Sequence, residues 1–263
     1  MRILVTNDDG VDAPGLAALA GALSRAGHEI LVVAPADDRS GSSAAIGPLH
    51  RLGPVPMVEH RWPDQPDVPV FSLDVPPAVA VYAACLGGFG PVPDLVASGI
   101  NPGPNTGHLV LHSGTVGAAL TAAGLGVSGL AVSLMIGDEL HWDTAAAFAA
   151  ASVPWFTGDG AAPRVLNVNV PNVPLAEVRG VRDAELAPYG TVWTATAGSD
   201  GRHLQLEFTG DAPPAEPGTD LALLLDGFVA VTPLAPIGRA PGPDAASSIR
   251  RASERFRGSH ARP

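Results

Sequence analysis

The chain opens on an apolar run, Ile3-Leu4-Val5, that stops abruptly at Asn7-Asp8-Asp9-Gly10. A short run with no polar alternation is the pattern of a strand buried on both faces. Asp12 and Pro14 then signal a helix start, since proline in the first turn gives up an N–H that would have no partner. Leu16, Leu19, Ala20 and Leu23 carry that helix to about Gly27, and a second apolar strand follows at residues 29–34. Strand, helix and strand of these lengths form a βαβ unit, which requires parallel pairing. The alternation continues. Strands are expected near residues 55–59, 70–73, 94–98, 129–134 and 165–170. Helices are expected at 77–86, after a Ser113 cap, and from an Asp143 cap to about Ser152. The fold class expected is α/β: a Rossmann-like three-layer α/β/α arrangement around a mostly parallel sheet.

Beyond residue 175 the pattern changes. Alternating segments at 191–194 and 204–208 flank the turn-rich Ala197-Gly198-Ser199-Asp200-Gly201, which reads as a C-terminal β-hairpin extension. A short helix at 220–225 and a strand at 228–232 follow. Three regions are expected. Residues 1–175 form the catalytic core, and residues 176–235 form a hairpin arm for oligomer contacts with a strand returning to the core. Residues 236–263 form a Pro/Gly/Arg-rich, solvated tail carrying Arg250, Arg251, Arg255, Arg257 and Arg262.

Chemistry concentrates at one edge of this sheet. Adjacent carboxylates repel and pack poorly, so a turn that gathers Asp8 and Asp9 calls for a cation. Hard oxygen donors suit Mg²⁺, Mn²⁺ or Ca²⁺ better than Zn²⁺. The same four residues also serve as plain turn chemistry. The loop Asp38-Arg39-Ser40-Gly41 and the Gly/Pro/Asn-rich loop from Ser98 to Gly107 leave the same carboxyl edge, where open α/β sheets bind ligands. Ser113-Gly114-Thr115 opens a helix whose N–H groups and dipole suit an anion, or it is an ordinary capped helix.

Charge and composition remove several alternatives. A formal charge of −11 argues against a nucleic-acid polymer or an anionic membrane surface as partner. All 15 residues counted as Lys or Arg are arginine, which excludes a Walker A lysine and any Schiff-base mechanism. Cys85 is the single cysteine, set in an apolar helical run, so neither an intrachain disulfide nor a Cys-rich zinc site can form. No apolar run approaches the roughly 18 residues of a membrane span, no leader precedes the first strand, and the chain is expected in the cytoplasm.

The ordered set Asn7-Asp8-Asp9-Gly10, Ala13-Pro14-Gly15, Val33-Ala34-Pro35, Asp38-Arg39-Ser40-Gly41, residues 98–107, Ser113-Gly114-Thr115-Val116, residues 166–171 and Val231-Thr232-Pro233-Leu234 resembles the SurE family of survival proteins, metal-dependent 5′/3′-nucleotidases. The resemblance implies one divalent cation per subunit, Mg²⁺ or Mn²⁺, ligated by Asp8, Asp9, Ser40 and Asn101. It implies a phosphoryl group held by Asn105, Ser113, Gly114 and Thr115, with Asp8, Asp9, Asn105 and Ser113 catalytic. It further implies a nucleoside monophosphate substrate and a homodimer or homotetramer formed by exchange of the hairpin. A broad small-molecule or polyphosphate phosphatase is the second enzyme reading, and a metal- and phosphate-binding homologue without turnover is the third. Three segments depart from the family pattern: Val75-Pro76-Pro77-Ala78-Val79-Ala80-Val81, His108-Leu109-Val110-Leu111-His112, and Thr121-Ala122-Ala123. His108 and His112 read either as an acid or polar contacts to the substrate or as surface or loop histidines, and the second is expected.

Overall fold

In the computed structural model, residues 1–48, 53–157, 162–189, 193–209, 214–235 and 237 are described. The first half contains β1 (Arg2–Thr6), α1 (Pro14–Arg25), β2 (Glu29–Pro35), β3 (Met57–His60), β4 (Val70–Leu73), α2 (Pro77–Cys85), β5 (Leu95–Pro102) and α3 (Gly114–Gly124). The second contains β6 (Ser128–Leu134), α4 (Trp142–Ser152), β7 (Val165–Val170), β8 (Val181–Asp183), β9 (Trp193–Ser199), β10 (Leu204–Thr209), α5 (Asp220–Leu225) and β11 (Val229–Leu234).

One sheet carries the order β3-β4-β2-β1-β5-β6-β7-β11-β8. Pairing is parallel from β4 to β7, with β3 antiparallel on β4 and β11 antiparallel on β7. Successive side chains of the buried strands enter opposite layers. Ile3 and Val5 pack with Leu16, Leu19 and Leu23 of α1 and Ala145, Ala146 and Ala149 of α4. Leu4 packs with Val79, Ala80 and Val81 of α2 and Ala118 and Ala122 of α3. The expected three-layer α/β/α architecture is thus present. Among the described residues β9 and β10 pair only with each other, as the expected hairpin. No helix among the described residues is long and apolar enough to cross a membrane.

Helix α1 starts at Pro14, as expected. The start of α4 differs from expectation. The residue before α4 is His141, and Asp143 lies inside the first turn, where its charge meets the helix dipole rather than an N–H group. The Ser113 cap is present, its Oγ accepting the Val116 N–H at 3.1 Å. The hairpin residues Thr191 and Val192 and the arginine tail lie outside the described residues.

For the site, the decisive feature is the order β2-β1-β5. The chain leaves β1 toward β2 and later returns to the other side of β1 with β5, so the crevice at the carboxyl end of β1 is a topological switch point. Asp8 and Asp9 follow β1, Asp38 and Ser40 follow β2, and Asn101 lies at the carboxyl end of β5.

Candidate active site

Asn7 is fully buried and donates through Nδ2 to the Gly10 carbonyl at 2.8 Å, closing the turn that presents the two acids. Asp8 is only 3% exposed. Its Oδ2 accepts the Gly114 N–H at 3.1 Å and its Oδ1 accepts the Thr115 hydroxyl at 2.5 Å. Burial raises the Asp8 pKa, against the pull of these donors. Helix α3 therefore starts on Asp8. A Cβ at position 114 would stand 2.6 Å from Asp8 Oδ2, so the close approach requires glycine.

Asp9 is half-buried and has no comparable support. Its Oδ2 is enclosed without a hydrogen-bond partner, and burial, then the charges of Asp8 and Asp38, push its pKa up to about 7. Asp38 goes the other way, its pKa lowered by the Ser40 hydroxyl and N–H, which it accepts at 2.6 and 2.7 Å. Ser40 spends its proton on Asp38, which leaves the oxygen lone pairs for a ligand.

Asn101 reaches the crevice because β5 breaks register with β6 between Ser98 and Asn101, a bulge that re-aims the strand end. Its Nδ2 donates to the Gly103 carbonyl at 2.6 Å, which turns Oδ1 toward the acids. Thr115 Oγ1 stands between Asp8 Oδ1 and Asn101 Oδ1, at 2.5 and 3.4 Å. Asp8, Ser40, Gly41, Asn101, Asn105, Leu109, His112 and Ser113 line one open cleft of about 190 Å³. The donors fit a divalent cation on the structure's own terms. The Asp8 carboxylate, a hydroxyl with free lone pairs and an amide oxygen line it; Asp9, the next residue after Asp8, does not line the cleft but holds an enclosed oxygen with no hydrogen-bond partner.

On the phosphate side, several of the expected groups are engaged within the protein. Gly114 N–H and the Thr115 hydroxyl are committed to Asp8, and Val116 N–H to Ser113. Ser113 and Asn105 both line the cleft, and each keeps a side-chain proton not committed to another group, the Ser113 hydroxyl proton and one N–H of the Asn105 amide. Asn105 is 8% exposed and its Nδ2 gives its other proton to Ser133 Oγ at 2.8 Å. Its backbone is gripped by β7: Asn169 Oδ1 accepts its N–H at 2.8 Å, while Asn167 and Asn169 donate to its carbonyl at 2.8 and 3.1 Å. The sequence reading assigned no role to Ser133, Asn167 or Asn169. The signal was present in Val165-Leu166-Asn167-Val168-Asn169-Val170, where two amides at period two share one face of an otherwise apolar strand. His112 is exposed but lines the cleft, whereas His108 does not.

A mostly parallel sheet with paired acids at its switch point, and a capped helix resting on one of them, defines an α/β protein with an oxygen-rich ligand cleft. The family model described as "Survival protein SurE" matches residues 3–191. The chain is 38% identical over 240 residues to the 5′-nucleotidase SurE of Xanthomonas campestris pv. campestris (strain B100), covering 89% of each. It is 40% identical over 245 residues to the 5′/3′-nucleotidase SurE of Cronobacter sakazakii, covering 89% of this chain and 90% of that one. The crystal structure of the SurE protein from Aquifex aeolicus superposes with a TM-score of 0.72 at 28% identity, covering 95% of this chain and 98% of the other. The chain belongs to the SurE family of survival proteins.

Proposed function

We propose that this protein is a divalent-metal-dependent nucleotidase that hydrolyses nucleoside 5′- and 3′-monophosphates to nucleoside and phosphate. The observation that carries the reading is a single cleft in which Asp8, Ser40 and Asn101 stand beside Asn105 and Ser113, with Asp9 next to Asp8. Oxygen ligands for a cation thus adjoin donors for an anion. The relatives' names, 5′-nucleotidase and 5′/3′-nucleotidase, supply the substrate class.

Asp8, Asp9, Ser40 and Asn101 would hold one Mg²⁺ or Mn²⁺, which polarises the phosphoryl oxygens and acidifies water when bound. Asp8 is oriented by Gly114 and Thr115, so both of its oxygens are fixed before substrate arrives. Ser113 and Asn105 donate to the phosphoryl oxygens and align phosphorus for in-line attack by water. The proton of that water passes to the Asp8–Asp9 pair. Gly114 and Thr115 act on the phosphate indirectly, through Asp8.

The hairpin β9–β10 is a two-stranded unit of the kind that is marginal alone, which supports a homodimer or homotetramer built by its exchange. The deciding experiment is phosphate release from a panel of nucleoside monophosphates, sugar phosphates and polyphosphate with Mn²⁺ or Mg²⁺. Release from the nucleotides that stops on chelation is the expected result. Preference for polyphosphate, or tight phosphate binding with no turnover, would overturn it.

A further inference from the structure

One fully buried acid has no part in the chemistry above. Asp220, the first residue of α5, has no exposed surface. Its oxygens meet backbone N–H groups: Oδ2 accepts from Gly107 at 2.8 Å, and Oδ1 accepts from Ala187 at 3.0 Å and from Leu221 at 2.8 Å. Burial raises its pKa while these three donors lower it. Burying a carboxylate is costly unless its hydrogen bonds return the energy. Capping α5 does not explain the cost, because Thr219 already accepts the Ala222 N–H. The long-range partners are informative. Gly107 closes the loop that carries Asn105, and Ala187 precedes the hairpin arm that Asp220 follows.

Gly107 is also pressed from outside. Its φ is +55°, and a Cβ there would stand 2.1 Å from the Tyr189 carbonyl oxygen, so the loop lies against the segment entering the arm. Asn105 is thereby held at two points: by Asn167 and Asn169 at its own peptide groups, and by Asp220 two residues further on.

We propose that Asp220 is a positioning residue, fixing Gly107, and through it the phosphate-facing amide of Asn105, to the chain segments that enter and leave the hairpin arm. The inference rests on the reading that Asn105 contacts the phosphoryl group. Asparagine at position 220 keeps the oxygen that serves Ala187 and Leu221 and turns its NH₂ toward the Gly107 N–H, so Asp220→Asn removes one bond selectively. Thr219→Ala weakens the same helix without touching Gly107.

The test uses the full-length Mn²⁺-loaded protein and inorganic phosphate, with hydrogen exchange of residues 103–112 read in parallel. Asp220→Asn is expected to weaken phosphate binding about tenfold and to speed exchange of that segment about tenfold, the scale of one lost charged hydrogen bond. Mn²⁺ affinity stays within about twofold, since Asp8 and Asp9 are untouched. Thr219→Ala lowers the denaturation midpoint and moves neither readout. Unchanged phosphate binding and exchange in Asp220→Asn, or equal changes in both variants, would overturn the proposal. So would rapid exchange of the Gly107 amide in the wild type, a measurement that needs no variant. If the wild type binds phosphate but hydrolyses no nucleotide, the nucleotidase reading fails while these readouts still decide the clamp.

Discussion

Asp8 and Asp9 are neighbours with opposite surroundings, and the difference gives each a separate experimental signature. Asp8 is supported by an N–H and a hydroxyl, Asp9 by neither. In metal-free protein the folded Asp9 holds its proton up to about 7, against 3.8 for an ordinary aspartate. Between those values the folded state binds a proton that the unfolded chain has released, so this group makes stability fall as pH rises from about 4 to 7. Asp9→Asn should flatten that fall, as read by denaturant midpoints in chelator across this range. Protons and metal compete for the same carboxylate, so wild-type Mn²⁺ affinity should rise with pH up to about 7 and then level, by calorimetry. Replacing either acid with alanine should cost well over ~100-fold in phosphate release, beyond the usual effect of an outer-shell residue. Gly114→Ala forces a methyl group against Asp8. It should cost ~1–3 kcal/mol of stability and weaken Mn²⁺ binding together.

At the level of elements, α3 does more than offer a positive helix end. Its first three N–H groups are directed to Asp8 and Ser113, so the helix acts as a brace for a carboxylate whose other side faces the cleft. Ser113 has two tasks, capping α3 through its lone pair and donating its proton to the ligand. Ser113→Ala should therefore lose ~1 kcal/mol of stability and also raise the inhibition constant for inorganic phosphate. A stability loss with unchanged phosphate inhibition would leave Ser113 as a cap alone. Strand β7 has a comparable double use: Val168 and Val170 fill the core while Asn167 and Asn169 hold the Asn105 peptide.

Across the whole molecule, the hairpin arm stands apart from the nine-stranded sheet among the described residues, yet its base is closed. Tyr189 donates its hydroxyl to the Pro214 carbonyl at 2.5 Å, so the two ends of the arm lie side by side. Replacing residues 190–213 with a short Gly-Ser link should leave the core folded. If the arm is exchanged between subunits, light scattering should show the mass dropping to that of a single chain. An unchanged mass would place the oligomer contact elsewhere.

The sheet and its switch point were legible in the sequence because strands buried on both faces are dominated by apolar runs, such as Ile3-Leu4-Val5 in β1 and Ile30-Leu31-Val32-Val33 in β2. The acid turn at the end of β1 and the Ser113 cap of α3 were legible from local pattern, whereas Ser40 and Asn101 were named through the family resemblance alone. What the sequence could not determine is which partner each polar group takes. Thr115 turns to Asp8, Asn167 and Asn169 grip Asn105, and Asp220 reaches Gly107 across 113 residues. Those pairings depend on distances set when the helices pack onto the sheet, and hydrogen bonds between segments far apart in the chain leave no local pattern to read.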